Sequence, residues 1–230
     1  MISLSKVEAQ APGLVSLAKT AAVSLDKAGL TGQRAAVQLV LDHSGSMLPF
    51  YRNGSVQRLA EQVLGLSVNL DDDGSVPVSY FGSSVDHTVD VRLDNYSGLI
   101  DRTHTASAWG STNYVAAMQA AAAEHWNSGA DHPGLVIFQT DGEPDDQDTA
   151  KRTLRTLSDR PMFFAFVGFG PARNMRFLKK LDNLSGRKVD NASFFHAADP
   201  LTVTDEELYD GITSQFAAWL PAARAAGILR

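Results

Sequence analysis

Residues 35–46 read AAVQLVLDHSGS, and residues 134–142 read GLVIFQTDG. Each stretch contains a short, mostly apolar run of the kind that predicts a strand buried on both faces of a parallel sheet. The first run ends at Asp42 and the second at Asp141. Because α/β sheets bind ligands at the carboxyl ends of their parallel strands, we expect both carboxylates at one edge of a sheet.

Strand-like and helix-like segments alternate along the rest of the chain, which predicts a mostly parallel sheet with helices on both faces. Further strands are predicted at 76–81, 85–93, 162–168 and 192–197, and helices at 12–29, 56–70, 115–126, 147–158, 174–183 and 208–219. Only Gly82, Ser83 and Ser84 lie between strands two and three, a link that permits only an antiparallel hairpin. The predicted fold class is α/β: a doubly wound, mostly parallel six-stranded sheet with one antiparallel edge strand.

The composition indicates one domain of ordinary size. With 230 residues, 44% of them hydrophobic, the chain can bury one sizeable core. It contains no repeat, low-complexity linker or break in composition. We therefore expect a single domain over residues 34–230, preceded by a helical extension over residues 1–33.

Charge and cysteine content limit the partners and the compartment. A formal net charge of -6 gives no general attraction to nucleic acid or to anionic lipid. The chain has no cysteine, which excludes disulfides and thiolate metal sites and is compatible with a reducing cytoplasm. Residues 1–6 do not resemble a signal peptide, and no apolar run approaches membrane-spanning length. We expect a cytoplasmic protein that binds neither nucleic acid nor membrane.

Short oxygen-bearing side chains stand on three loops expected at the same sheet edge. The first loop carries the pattern D-x-S-x-S as Asp42, Ser44 and Ser46, the second carries Thr112, and the third carries Asp141. Oxygen ligands of this kind suit a hard cation such as Mg²⁺. Two carboxylates balance a divalent charge, and neutral hydroxyls leave the ion able to accept one more anionic oxygen. The natural donor of that oxygen is an Asp or Glu of a protein partner.

These residues resemble the metal-ion-dependent adhesion site of von Willebrand factor A (vWA) domains, and the likeness extends from about residue 35 to 220. The resemblance implies that Ser44, Ser46 and Thr112 coordinate the ion directly or nearly so. It implies that Asp42 and Asp141 act partly through water, and that their two strands are neighbours. The stretch SLAKTAAVSLDKAGL at residues 16–30, which leads into the domain, is similar to the bacterial tellurium-resistance-associated (TerF-like) group.

The resemblance implies a binding module without catalytic residues. Its cofactor would be Mg²⁺ or Mn²⁺, with Ca²⁺ as a further option, and its process a bacterial tellurium-resistance or stress response. The alternative is a metal-dependent hydrolase or phosphatase in which Glu143 or His43 acts as the base. We interpret Glu143 as a solvated loop residue and His43 as packed or exposed. Three nearby acids are expected to cap and charge the start of the next helix: Asp145, Asp146 and Asp148.

Overall fold

The computed structural model describes residues 1–229 and confirms the predicted fold class. The strands are β1 (Ala36–Asp42), β2 (Ser75–Phe81), β3 (Val85–Arg92), β4 (Gly134–Thr140), β5 (Met162–Phe169) and β6 (Ala192–Ala197). They form one six-stranded sheet in the order β3-β2-β1-β4-β5-β6. All neighbouring strands are parallel except β2 and β3, which form the expected antiparallel hairpin.

Helices connect the strands and precede the first of them. Residues 1–229 contain α1 (Leu4–Gln10), α2 (Val15–Lys27), α3 (Leu48–Arg52), α4 (Ser55–Ser67), α5 (Leu99–Thr103), α6 (Tyr114–Asn127), α7 (Gln147–Leu157), α8 (Arg176–Asp182) and α9 (Asp205–Ala225). Sequence periodicity did not predict α1, α3 or α5. Each has only five or seven residues, too few for a hydrophobic repeat to be recognised. No helix among residues 1–229 has the length and apolar character needed to cross a membrane.

The sheet order places the two aspartates at the ends of neighbouring strands. From β1 the chain continues to β2 on one side of the sheet and later returns to β4 on the other. Strands β1 and β4 are parallel neighbours, with Leu41 opposite Gln139. Loops that leave a sheet in opposite directions open a crevice at the carboxyl ends of the strands. Asp42 and Asp141 stand at this crevice.

Each face of the sheet has its own core. Leu39 and Ile137 belong to the cluster that also contains residues of α4 and α9, whereas Val40 and Phe138 pack with α6, α7 and α8. The N-terminal helices join the first cluster, because α2 packs against both α4 and α9. The contact with α4 is close: a Cβ placed on Gly65 would lie 2.7 Å from Cβ of Leu17.

Candidate metal-binding site

Asp42 is the last residue of β1, and its side chain is fully buried. One carboxylate oxygen, Oδ1, accepts a 2.7 Å hydrogen bond from the backbone N–H of Ser44. The other, Oδ2, accepts a 2.6 Å hydrogen bond from the hydroxyl of Thr140, at the end of β4. The backbone of the same residue is also held, because the Tyr51 hydroxyl donates a 3.0 Å hydrogen bond to the Asp42 carbonyl. The carboxylate therefore has a fixed orientation between the two central strands.

Two serine hydroxyls connect the Asp42 loop to Asp141. The Ser44 and Ser46 hydroxyls lie 3.2 Å apart, because a single turn of 3₁₀ helix begins at Gly45. Ser46 Oγ donates a 2.8 Å hydrogen bond to Oδ1 of Asp141, in the loop after β4. Because the Ser44 N–H also binds Asp42, four of the five predicted ligands form one hydrogen-bonded chain.

Thr112 reaches the same place from a third loop. Ser46, Thr112 and Asp141 line one cavity of about 450 Å³. The loop is held close to β1 by a bridge between Gly110 and Ser44, in which the Gly110 N–H donates to the His43 carbonyl over 3.2 Å. Any side chain at residue 110 would clash, since its Cβ would lie 2.5 Å from a backbone nitrogen. The predicted residues are therefore adjacent in space, with Asp42 and Ser44 connected to the cavity through Ser46.

Asp145 has a different role from the predicted helix cap. Its Oδ1 accepts a 3.1 Å hydrogen bond from the Thr112 N–H, and its Oδ2 accepts a 2.6 Å bond from the Ser111 hydroxyl. Its own N–H donates to the Thr112 carbonyl over 3.0 Å. Asp146 alone is the N-cap of α7, where it accepts from the N–H groups of Asp148 and Thr149. Asp145 instead fastens the Thr112 loop to the Asp141 loop.

The electrostatics of the site favour a cation. Burial raises the pKa of Asp42 to about 7, even though hydrogen bonds from Thr140 and Ser44 lower it. Burial also raises the pKa of Asp141. Neither carboxylate forms an ion pair within residues 1–229. Buried carboxylates are ordinarily paired with a basic group or coordinate a metal, so this donor set fits a divalent ion.

Hydroxyls are essential to such a site. Among residues 1–229, no cluster of three or more His, Asp or Glu side chains is arranged to hold a metal ion. An ion at the two aspartates would take its further oxygens from neutral groups, and the hydroxyls of Ser44, Ser46 and Thr112 lie on the connected loops. This combination of few charges and several neutral oxygens is the arrangement that leaves an ion able to accept an outside anion.

The two bases considered for an enzyme lie in different places. His43 is buried away from the cavity: its ring stacks on Trp109 at 3.8 Å, and its Nδ1 and Nε2 approach the Ala108 carbonyl and His104 Nδ1 at 3.1 and 3.2 Å. Burial also lowers the pKa of His43. Glu143 lines the cavity, where its Oε2 accepts a 2.7 Å hydrogen bond from Gln147.

Three further residues line the cavity that the sequence analysis did not select: Arg173, Asn174 and Arg176. They belong to the loop after β5 and the first residue of α8. The Asn174 side-chain amide donates to the Asp141 carbonyl over 3.4 Å. Their position after a strand adjacent to β4 was the signal that could have found them.

The order and direction of the strands, with helices on both faces, are those of a vWA-type domain. The chain belongs to the TerF-like vWA family, described as the vWA domain found in the TerF C terminus, whose family model matches residues 34–229. It is 33% identical to the protein YcbR of Bacillus subtilis (strain 168) over 217 residues, which cover 92% of this chain and 88% of YcbR.

Solved structures with the same fold are more distant in sequence. A von Willebrand factor type A protein from Catenulispora acidiphila is 16% identical with a TM-score of 0.54, over 79% of this chain and 42% of that one. The chain thus spans less than half of that protein. The manganese-loaded TRAP protein of Plasmodium vivax is 20% identical with a TM-score of 0.52, over 79% of this chain and 75% of that one. At these identities the likeness establishes the fold alone.

Proposed function

We propose that this domain binds one divalent cation through Asp42, Ser44, Ser46, Thr112 and Asp141, and uses it to capture a carboxylate of a partner protein. The observation that carries the proposal is a pair of buried carboxylates without a basic partner at the ends of β1 and β4. The Ser44 N–H binds Asp42, the Ser46 hydroxyl binds Asp141, and the two serine hydroxyls lie 3.2 Å apart. An ion there would compensate charge that the fold otherwise leaves unpaired.

The vWA domain is generally a module for protein interaction, and the manganese-loaded TRAP protein is one structural relative of this chain. We propose Mg²⁺ or Mn²⁺ as the resident ion. The ion would supply a positive centre at the cavity, and this chain's own residues would fix its position. Asp42 and Asp141 supply charge, the three hydroxyls supply neutral oxygens, and the open side of the cavity admits the partner's Asp or Glu.

The test is an affinity capture from source-cell lysate with the full chain loaded with Mn²⁺. Parallel samples contain chelator, Asp42→Asn or Thr112→Val. The proposal expects one or more proteins to be retained by the loaded wild type and lost in the other three samples. Retention that is equal in all four samples would show that partners bind elsewhere on the domain.

The alternative reading, a metal-dependent hydrolase or phosphatase, draws on Glu143, which lies in the cavity near Asp141. Generic phosphate monoesters and carboxylic esters test it with the Mn²⁺-loaded chain. We expect no turnover above that of the Asp42→Asn variant. Metal-dependent turnover that disappears in Glu143→Gln would replace the binding proposal with an enzymatic one.

We further propose a cellular role in bacterial tellurium resistance or a related stress response, in the cytoplasm, because the chain belongs to the TerF-like vWA family. Deletion of the gene should then sensitise the source cells to tellurite. The wild-type gene should restore growth, and the Asp42→Asn gene should not. Equal growth of the deletion and parent strains on tellurite would exclude a role in tellurium resistance.

A further inference from the structure

The cavity beside the candidate metal site carries two arginines that the proposed ion does not need. Arg173 and Arg176 line it together with Ser46, Thr112 and Asp141. Both arginines are exposed, and neither forms an ion pair within the described part of the chain. Two guanidinium groups without an ion pair, beside a cation site, offer a second place where an anion could bind.

The local structure holds the arginine segment in place. Between the two arginines, Met175 is fully buried, and so is Phe177 immediately after them. On the cavity side, the Asn174 amide is hydrogen-bonded to the Asp141 carbonyl. The backbone that carries the guanidinium groups is therefore anchored both in the core and to the metal loop. Arg173 and Arg176 thus extend from a backbone segment that is held beside the cavity.

The charge balance of the cavity indicates which kind of ligand the arginines could bind. A divalent ion would cancel the charges of Asp42 and Asp141. Glu143 is then the one further carboxylate among the residues that line the cavity, and Asp145 lies beside Thr112, hydrogen-bonded to its N–H. The Glu143 carboxylate is already hydrogen-bonded to Gln147. The loaded cavity would then be net positive, although the chain as a whole carries -6. Such local inversion of charge attracts an anionic partner and orients it.

We propose that the partner segment is acidic at two positions: one carboxylate completes the metal site, and a second pairs with Arg173 and Arg176. This inference rests on the proposed function and adds the class of partner. Arginine suits the second task, because its planar guanidinium binds a carboxylate through two parallel hydrogen bonds. A partner with one carboxylate would bind only the ion. A partner with a second carboxylate at the right spacing would bind the ion and the two arginines together.

The test uses synthetic peptides of glycine and serine with blocked ends. One contains a single Asp, and a series adds a second Asp one to four residues further along. Calorimetry measures their binding to the Mn²⁺-loaded full chain. We expect at least one two-acid peptide to bind about 10-fold more tightly than the single-acid peptide.

The decisive variant is Arg173→Gln/Arg176→Gln. It should lose the advantage of the second acid, while its affinity for Mn²⁺ stays the same or increases, because a source of repulsion is gone. If the arginines only stabilised the fold, the variant would lose both the advantage of the second acid and affinity for Mn²⁺. Lys179→Gln/Lys180→Gln is the matched control: it removes two exposed charges from α8, the helix that begins at Arg176, outside the cavity, and should behave like the wild type.

The inference is overturned if no two-acid peptide binds more tightly than the single-acid peptide, or if the advantage persists in the arginine variant. Failure of the proposed function looks different. In that case Mn²⁺ itself does not bind, or chelator leaves peptide binding unchanged.

Discussion

Ser46 Oγ donates a 2.8 Å hydrogen bond to Oδ1 of Asp141, although 95 residues separate the two in the chain. The contact exists because β1 and β4 are parallel neighbours, so the loops that follow them meet. It directs one oxygen from each loop toward the same small volume. In the proposed site both oxygens would turn toward the ion, and the hydrogen bond would be exchanged for coordination.

Replacing Ser46 with alanine removes one neutral oxygen and leaves both carboxylates. We expect Mn²⁺ to bind more weakly to Ser46→Ala than to the wild type, but still measurably, because the charge balance of the site is unchanged. The measurement is the rise in melting temperature on adding Mn²⁺, which follows from mass action. Ser97→Ala, at an exposed serine outside the cavity, is the control. If Mn²⁺ raises the melting temperature of Ser46→Ala as much as that of the wild type, Ser46 is not a ligand.

Thr112 stands on a loop separate from the serines, so it can be tested without disturbing them. The Thr112→Val variant keeps the shape of the side chain and loses its oxygen. We expect the fold and part of the metal affinity to survive, while the affinity for the captured partner falls at least about 10-fold, or 1.4 kcal/mol. Partner dissociation constants with and without chelator provide the measurement. Thr156→Val, at an exposed position on α7, should have no effect. If neither Thr112→Val nor chelator changes the partner's dissociation constant, the interface lies elsewhere on the domain.

Asp145 should act on the ion without touching it. Its carboxylate holds the Ser111–Thr112 segment through two hydrogen bonds, which Asp145→Ala removes. Loss of such supporting contacts ordinarily costs about 10- to 100-fold in metal affinity, and we expect the lower end because the group is exposed. Asp148→Ala is the matched control from the same acidic run. Equal Mn²⁺ dissociation constants for the two variants would show that the hydrogen bonds from Asp145 are not needed to position the Thr112 loop.

The sequence predicted the strands well because buried parallel strands are short, apolar and bounded by polar residues. Strands β4 and β6 have the predicted limits, Gly134–Thr140 and Ala192–Ala197. It also identified residues that the structure brings together at the ends of β1 and β4, since the ends of adjacent parallel strands must meet. Their role as metal ligands stays a prediction.

Features that depend on packing between distant loops could not be predicted. Asp145 precedes a helix, and its sequence context is that of a cap; only the folded chain shows the Thr112 loop beside it. His43 lies between two candidate ligands, yet its ring turns away to stack on Trp109. Arg173 and Arg176 line the site because the loop after β5 contacts the Asp141 loop. Their place after a buried strand was visible in the sequence, but that contact was not.

The N-terminal helices offer a test of how the domain is built. We propose that residues 1–33 form an extension that stabilises the vWA domain of residues 34–230. Leu17 on α2 is buried against α4, so Leu17→Ala should lower the free energy of unfolding by about 2–5 kcal/mol. Val23→Ala, on the same helix but 54% exposed, should change it by less than about 0.5 kcal/mol. Urea denaturation measures both, and similar small effects would mean that α2 is dispensable.

Calorimetric titration of the metal-free full chain with Mn²⁺ tests the central claim most directly. The account predicts one ion per chain for the wild type and no binding for Asp42→Asn, which removes a buried negative charge while keeping the size of the side chain. Glu8→Gln, an exposed charge on α1, should bind like the wild type. Binding absent or weaker than about 1 mM in the wild type, or equal binding in Asp42→Asn, would contradict the account.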